Sequence, residues 1–210
     1  MRIATLLVLT AVLCPLVSRA QDGLLATSYE RADGSKGQGQ LVYQPGSRSR
    51  LTLQDAPAEP GSKDAKKGKP LAPGEVRSFE VGGDHYVLLH SIKLDNGIPL
   101  SIPMMKEDDF AKVIETGKIQ LLEYWVSYMT SSRSAVTASG RDYQANSTPV
   151  YLLRRPDENN AVMIPVTAKK YRQVLASYLV GRPDLIQKLD KKAKSEAELR
   201  ALIQDYNAAP

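Results

Sequence analysis

Two histidines, His85 and His90, are the only imidazoles in the chain, and both fall in the stretch "GGDHYVLLHSI" at 82–92. Asp84 directly precedes His85, so an aspartate that orients an imidazole as a general base is the first chemistry to weigh. A hydrolase built on Asp84 and His85 would draw its nucleophile from the serine-rich segment 131–139. If 85–94 is a strand, however, side chains five positions apart fall on opposite faces, and the two imidazoles do not share one metal ion. No HxH or HExxH spacing is present, and no motif asks for a cofactor. Neither a GxSxG elbow nor an SxxK set with its partner motifs occurs. The acids of "KEDD" (106–109) suit the start of a helix, whose dipole favours negative charge, better than a calcium or glycosidase carboxylate pair.

Aromatic residues supply the other candidate. The chain has ten tyrosines against two phenylalanines and one tryptophan, a preference for rings with a polar tip. "EYWVSY" places Tyr124 and Tyr128 on one face of a strand and Trp125 on the other. Such rings give large contact area at low entropy cost and are favoured at recognition surfaces. Tyr124, Trp125 and Tyr128 are therefore the binding residues the sequence offers, with burial in a core as the competing reading.

The residues that must position these groups follow an apolar leader. "MRIATLLVLTAVLCPLVSRA" has a basic start, an apolar run and small residues, Ser18 and Ala20, at the positions a signal peptidase needs. The expected mature chain begins at Gln21, is exported, and carries no transmembrane segment. The sole cysteine, Cys14, leaves with the leader, so neither a disulfide nor a cysteine-based metal site or nucleophile is expected. Removing Arg2 and Arg19 lowers the charge excess from +5 to +3. The basic clusters "SKDAKKGK" and "KLDKKAK" lack the interleaved aromatics of a nucleic-acid surface, and nucleic-acid binding is not expected.

From Leu24 to Met105 the pattern is β. Asp33-Gly34, Gly82-Gly83 and Asn96-Gly97 are hairpin signals between alternating or apolar runs. The proline- and lysine-rich segment 56–74 has too few large apolar residues to offset its ordering entropy and reads as a mobile loop. "EDDFAKVIETG" fits a short helix, with Phe110, Val113 and Ile114 on one face and Gly117 at its end. "KIQLLEYWVSYMT" (118–130) is apolar on both faces and reads as a central strand. The small, polar segment 131–147 reads as a second loop, and "PVYLLRR" and "AVMIPV" as a last hairpin. The C-terminal third is helical: Tyr171, Val174, Leu175, Tyr178 and Leu179 form one stripe, Gly181 and Pro183 separate two helices, and Ser195 with Glu198 forms a capping box.

Three stretches, "APGEVRSFEVGGDHYV", "FAKVIETGKIQLLEYW" and the tail "YLVGRPDLIQKLDKKAKSEAELRALIQDYN", resemble an uncharacterised family of exported proteins from Bacteroidetes-type Gram-negative bacteria. The loop at 56–74 is longer here, and the cysteine frequent before "PDL" is replaced by Gly181-Arg182. The resemblance implies export, a β-rich region and a helical ending, and no mechanism.

The sequence thus predicts a signal peptide at 1–20 and one α+β domain at 21–210. An antiparallel, hairpin-rich sheet occupies 21–166 and about three helices occupy 167–207. The expected function is that of a non-enzymatic binding or structural module at the periplasm, outer membrane or cell surface, with another envelope protein or a surface glycan as partner. The alternative is the hydrolase using Asp84 and His85.

Overall fold

The computed structural model describes residues 24–26, 28–37, 39–45, 50–54, 69–95, 104–133, 141–189 and 195–209. Its centre is a closed barrel of five strands, β8 (Asp84–Leu94), β9 (Met104–Glu115), β10 (Gln120–Arg133), β11 (Arg141–Arg154) and β12 (Asn160–Met163). Consecutive strands pair antiparallel, and β12 then pairs parallel with β8, Ala161 opposite Ile92. The parallel seam follows from arithmetic: in an up-and-down meander with an odd number of strands, first and last run the same way. Side chains fill the interior, as in other small barrels. Leu89, Ile92, Ala111, Leu122, Tyr124, Leu152, Ala161 and Met163 form that core.

The fold class is therefore mostly β with three small helices, which corrects the α+β expectation of an antiparallel, hairpin-rich sheet followed by a helical segment. The correction starts at β9. "EDDFAKVIETG" is strand, not helix, because its three apolar residues serve three different cores. Phe110 packs towards the outer sheets, Val113 lines the barrel and Ile114 lies under the C-terminal helices. The spacing that mimics a helical stripe reflects a strand buried on both faces. The segment 131–147 is likewise not all loop, since the β10–β11 ladder runs from Gln120 opposite Arg154 out to Arg133 opposite Arg141.

Outside the barrel, β8 is extended by β7 (Val76–Val81), β2 (Ser28–Arg31) and β3 (Lys36–Gly37). A second sheet, ordered β1 (Leu24–Ala26), β4 (Gln40–Gln44), β5 (Arg50–Gln54), β6 (Lys69–Leu71), packs across this wing. Residues 69–74, expected as part of the loop at 56–74, form β6 and enter a 3-10 turn at Pro73–Glu75, while 55–68 lie outside the described residues. The core between the sheets centres on four rings. Phe79 stacks on Tyr86 at 4.9 Å, and Phe110 and Tyr43 tilt against Phe79 at 5.0 and 5.4 Å. Gly82 and Gly83 both adopt positive φ in the β7–β8 turn, as the glycine pair required.

The helices cover one outer face of the barrel. Leu121 and Leu153 are direct cross-strand partners pointing outward, whereas the next pair, Leu122 and Leu152, points inward. This explains why β10 is apolar on both sides. Upon Leu121 and Leu153 pack α1 (Ala168–Tyr178), α2 (Pro183–Gln187) and α3 (Glu196–Asn207). Ser195 and Glu198 make both bonds of the expected capping box.

At its far end α3 delivers Asn207 into the β9–β10 turn. The Asn207 side chain accepts from Ile119 N–H at 3.0 Å and donates to the carbonyls of Ile119 and Thr116 at 2.9 and 3.2 Å. Gly117, expected to end a helix, instead makes room for this contact, because a Cβ there would overlap the Asn207 side chain. Gly117→Ala is expected to cost about 1–3 kcal/mol, as overpacking does. In the double variant with Asn207→Ala the loss should be smaller than the sum, measured by urea unfolding; full additivity would contradict the contact.

Candidate functional site

Asp84 and His85 do not form the pair the sequence suggests. Asp84 meets Lys112 of β9 at 3.1 Å, and His85 Nδ1 faces Glu80 across the β7–β8 ladder at 3.9 Å. The pairing found is His90 with Asp108, Nδ1 to Oδ1 at 2.8 Å, both side chains about half exposed. The sequence does not reveal this pair, because the acids of "KEDD" equally suit a helix start. One signal was available: an aspartate tolerates the left-handed backbone, and Asp108 is the one described non-glycine residue with positive φ, at 31°.

That backbone irregularity has a counterpart on β8. Inward-facing residues run Val87, Leu89 and then Ile92, Leu94, a step of three where a regular strand steps by two. The register to β9 is kept, with Leu89 opposite Asp109 and Ser91 opposite Glu107. β9 changes face at the same level, since Lys106 and Asp109, three apart, form an ion pair at 3.5 Å. At this point β8 also changes neighbour. Its first half pairs with β7 up to Val87, and from Ser91 it pairs with β12. His90 sits in the fork, its N–H donating to Asn159 O at 3.1 Å.

Between the two branches opens a cleft of about 550 Å³. The wing contributes Glu30, Arg77 and Ser78; β8 contributes His85 and His90; the barrel side contributes Gln120, Arg154 and Asn159. The change of face brings both imidazoles to one cleft, against the simple alternation expected. They still cannot act on one atom, since five residues of strand separate them by about 16 Å at roughly 3.3 Å each. No described serine hydroxyl is hydrogen-bonded to either imidazole; Ser78 Oγ instead donates to Glu30 Oε2 at 3.3 Å. Side chains within 131–139 lie outside the described residues.

Arg154 is the half-buried cation of the cleft. Its Nε and Nη2 donate to Gln120 Oε1 at 2.8 and 2.6 Å, and Nη1 donates to Leu88 O at 3.4 Å. No carboxylate of a described residue pairs with it, and burial lowers its pKa below the ordinary arginine value. By contrast, Arg77 meets Glu30 at 3.3 Å. A smaller cavity of about 360 Å³, under the edge of the second sheet, is bordered by Arg31, Asp33, Lys69 and Glu75, charges of both signs.

The aromatic strand divides between core and surface. Tyr124 is 4% exposed inside the barrel, whereas Trp125 is 37% exposed and donates its indole N–H to Glu123 at 2.8 Å. The side chain of Tyr128 lies outside the described residues. Tyr124 O–H donates at 2.7 Å to Asp109 Oδ2, while Tyr43 O–H, from the second sheet, and Phe110 N–H reach Oδ1 at 2.8 and 2.9 Å. Asp109 is fully buried. Burial, and then the Asp109 charge, hold the Tyr124 phenol far above its ordinary pKa.

Among the described residues no group of three His, Cys, Asp or Glu side chains is placed to hold a metal, and no helix is long and apolar enough to cross a membrane. Fold and site together define a small meander barrel with a sandwich wing and a polar cleft where they separate. No family model, curated protein or solved structure matches the chain.

Asp109→Ala removes the carboxylate to which two buried hydroxyls donate and is expected to cost about 3–5 kcal/mol, the range for breaking a buried charged network, whereas Tyr124→Phe should cost about 1–3 kcal/mol. Denaturant unfolding measures both, and equal losses would contradict a network centred on Asp109. Because the folded phenol keeps its proton, unfolding releases it once the pH exceeds the unfolded value of about 10, and stability falls as pH rises further. Tyr124→Phe should flatten that alkaline slope; buried Tyr178, whose pKa is also raised, retains part of it.

Proposed function

We propose that the chain is an exported, envelope-located binding module that holds its ligand in the cleft at the fork of β8. The partner is another envelope protein or a surface glycan. The observation that carries this reading is the construction of the cleft. Its polar side chains come from β2, β7, β8, β10, β11 and the β11–β12 turn, and one of them, Arg154, is already fixed by neutral acceptors. Binding constellations are held to geometry by such supporting contacts. The leader at 1–20 supports export, and on the aromatic strand Tyr124 is buried while Trp125 is exposed among the described side chains.

A hydrolase reading retains one observation, the His90–Asp108 pair, with Nε2 of His90 as base towards a water. It no longer rests on Asp84 and His85, because Asp84 is engaged by Lys112.

Two histidines and one tryptophan make the assignment measurable. Envelope glycan and protein fractions added to the labelled protein should shift the imidazole resonances of His85 and His90 while leaving Trp125 fluorescence unchanged. A Trp125 response with silent imidazoles would place binding on β10 instead. Ester turnover by the protein, lost in His90→Gln, would favour the hydrolase.

A further inference from the structure

We infer that the cleft at the fork of β8 takes an oxyanion, a carboxylate or phosphate group carried by the ligand, on the guanidinium of Arg154. This rests on the reading of that cleft as the binding face and adds the chemical class of what is bound.

A guanidinium has five N–H donors in a rigid fork. Three of those of Arg154 are used, two on Gln120 Oε1 and one on Leu88 O. One remains on each terminal nitrogen, the number a bidentate oxyanion accepts. Both acceptors are neutral, so they orient the cation without cancelling its charge. A half-buried charge with no counter-ion is costly, and an incoming anion recovers part of that cost. Arg77, Arg155, Arg182 and Arg200 each meet a carboxylate, which shows what the fold does with arginines that serve as surface pairs.

The acids near the cleft are already engaged. Glu30 is held by Arg77 and Ser78, and Asp108, beside the cleft, is held by His90. Asn159 and His90 add polar groups on the same lining. A neutral sugar hydroxyl would leave the Arg154 charge unmatched, which is why the oxyanion is the class favoured over an uncharged glycan.

Gln120→Glu supplies the test. The change is nearly isosteric, keeps the acceptor at the guanidinium and turns it into a counter-ion, so the fold should persist while the free charge is cancelled. Sodium phosphate and sodium acetate are titrated separately into the labelled full chain at constant ionic strength, and the His85 and His90 resonances are followed. At least one ion should give a saturable shift, weaker by about tenfold or more in Gln120→Glu and in Arg154→Gln, the change expected for losing a charge-assisted contact. The ion that binds tells phosphate-bearing from carboxylate-bearing ligands. A response that is absent for both ions, or that is unchanged in Gln120→Glu, overturns the inference. If envelope fractions still shift the imidazoles when neither ion does, the cleft remains the binding face and only the oxyanion falls; if nothing shifts them, both fall.

Discussion

A single buried carboxylate ties the molecule together. Asp109 has no solvent contact, and two phenols, a neighbouring N–H and Lys106 meet its side chain in the interior. Those phenols come from different layers, Tyr124 from inside the barrel and Tyr43 from the outer sheet. The carboxylate is therefore the joint between the barrel and its wing. Its geometry also dictates the strand around it. Lys106 can reach Asp109 only if β9 breaks its alternation between them, and Asp108, with positive φ, is where it does so. The break turns Asp108 towards His90, and β8 changes face at the same level. There β8 leaves β7 for β12, and the polar cleft opens between them.

The same logic explains why so few residues are idle. Where the outer side of a barrel strand meets the aromatic sandwich or the helices, as at Phe110, Leu121 and Leu153, the strand has no solvent face, because its inner side fills the barrel. Phe110, Val113 and Ile114 show the consequence within five residues, each in a different core. The helices are few and short, but α3 anchors both the outward leucines and, through Asn207, the β9–β10 turn.

Much of this was legible in the chain itself. The turns at Gly34 and Gly82-Gly83, the long apolar strand at 118–130, the stripe from Tyr171 to Leu179 and the capping box at Ser195 are local signals, and the structure places them accordingly, while Asn96-Gly97 lies outside the described residues. What the sequence hid is non-local. The pairing of β12 with β8 joins residues nearly seventy positions apart, and no propensity marks it. In the sequence Asp109 is one acid among the three of "KEDD", because the tyrosines that bury it lie 66 and 15 positions away. The cleft eluded sequence reading for the same reason. Gln120 and Arg154 face each other only through the β10–β11 ladder, and the two histidines share a lining only because β8 abandons strict alternation. The aromatic run was read for its residue types, whereas the depth of Tyr124 is set by which side of a closed barrel it faces.

The parallel seam has a consequence for how this chain comes into being. β12 is only four residues long and lies late in the chain, yet it covers the free edge of β8, made some seventy residues earlier. Until Asn160–Met163 have been synthesised, the second half of β8 has backbone groups without partners on that side, and the interior around Leu89 and Ile92 has no lid. Long-range pairings of this kind form slowly, because loop-closure entropy is lost before contacts repay it. A nascent chain therefore holds its barrel open along that edge, since β7 covers only the first half of β8, up to Val87. Completion of the barrel thus waits on Asn160–Met163, and the helices that cover its outer face come later still in the chain.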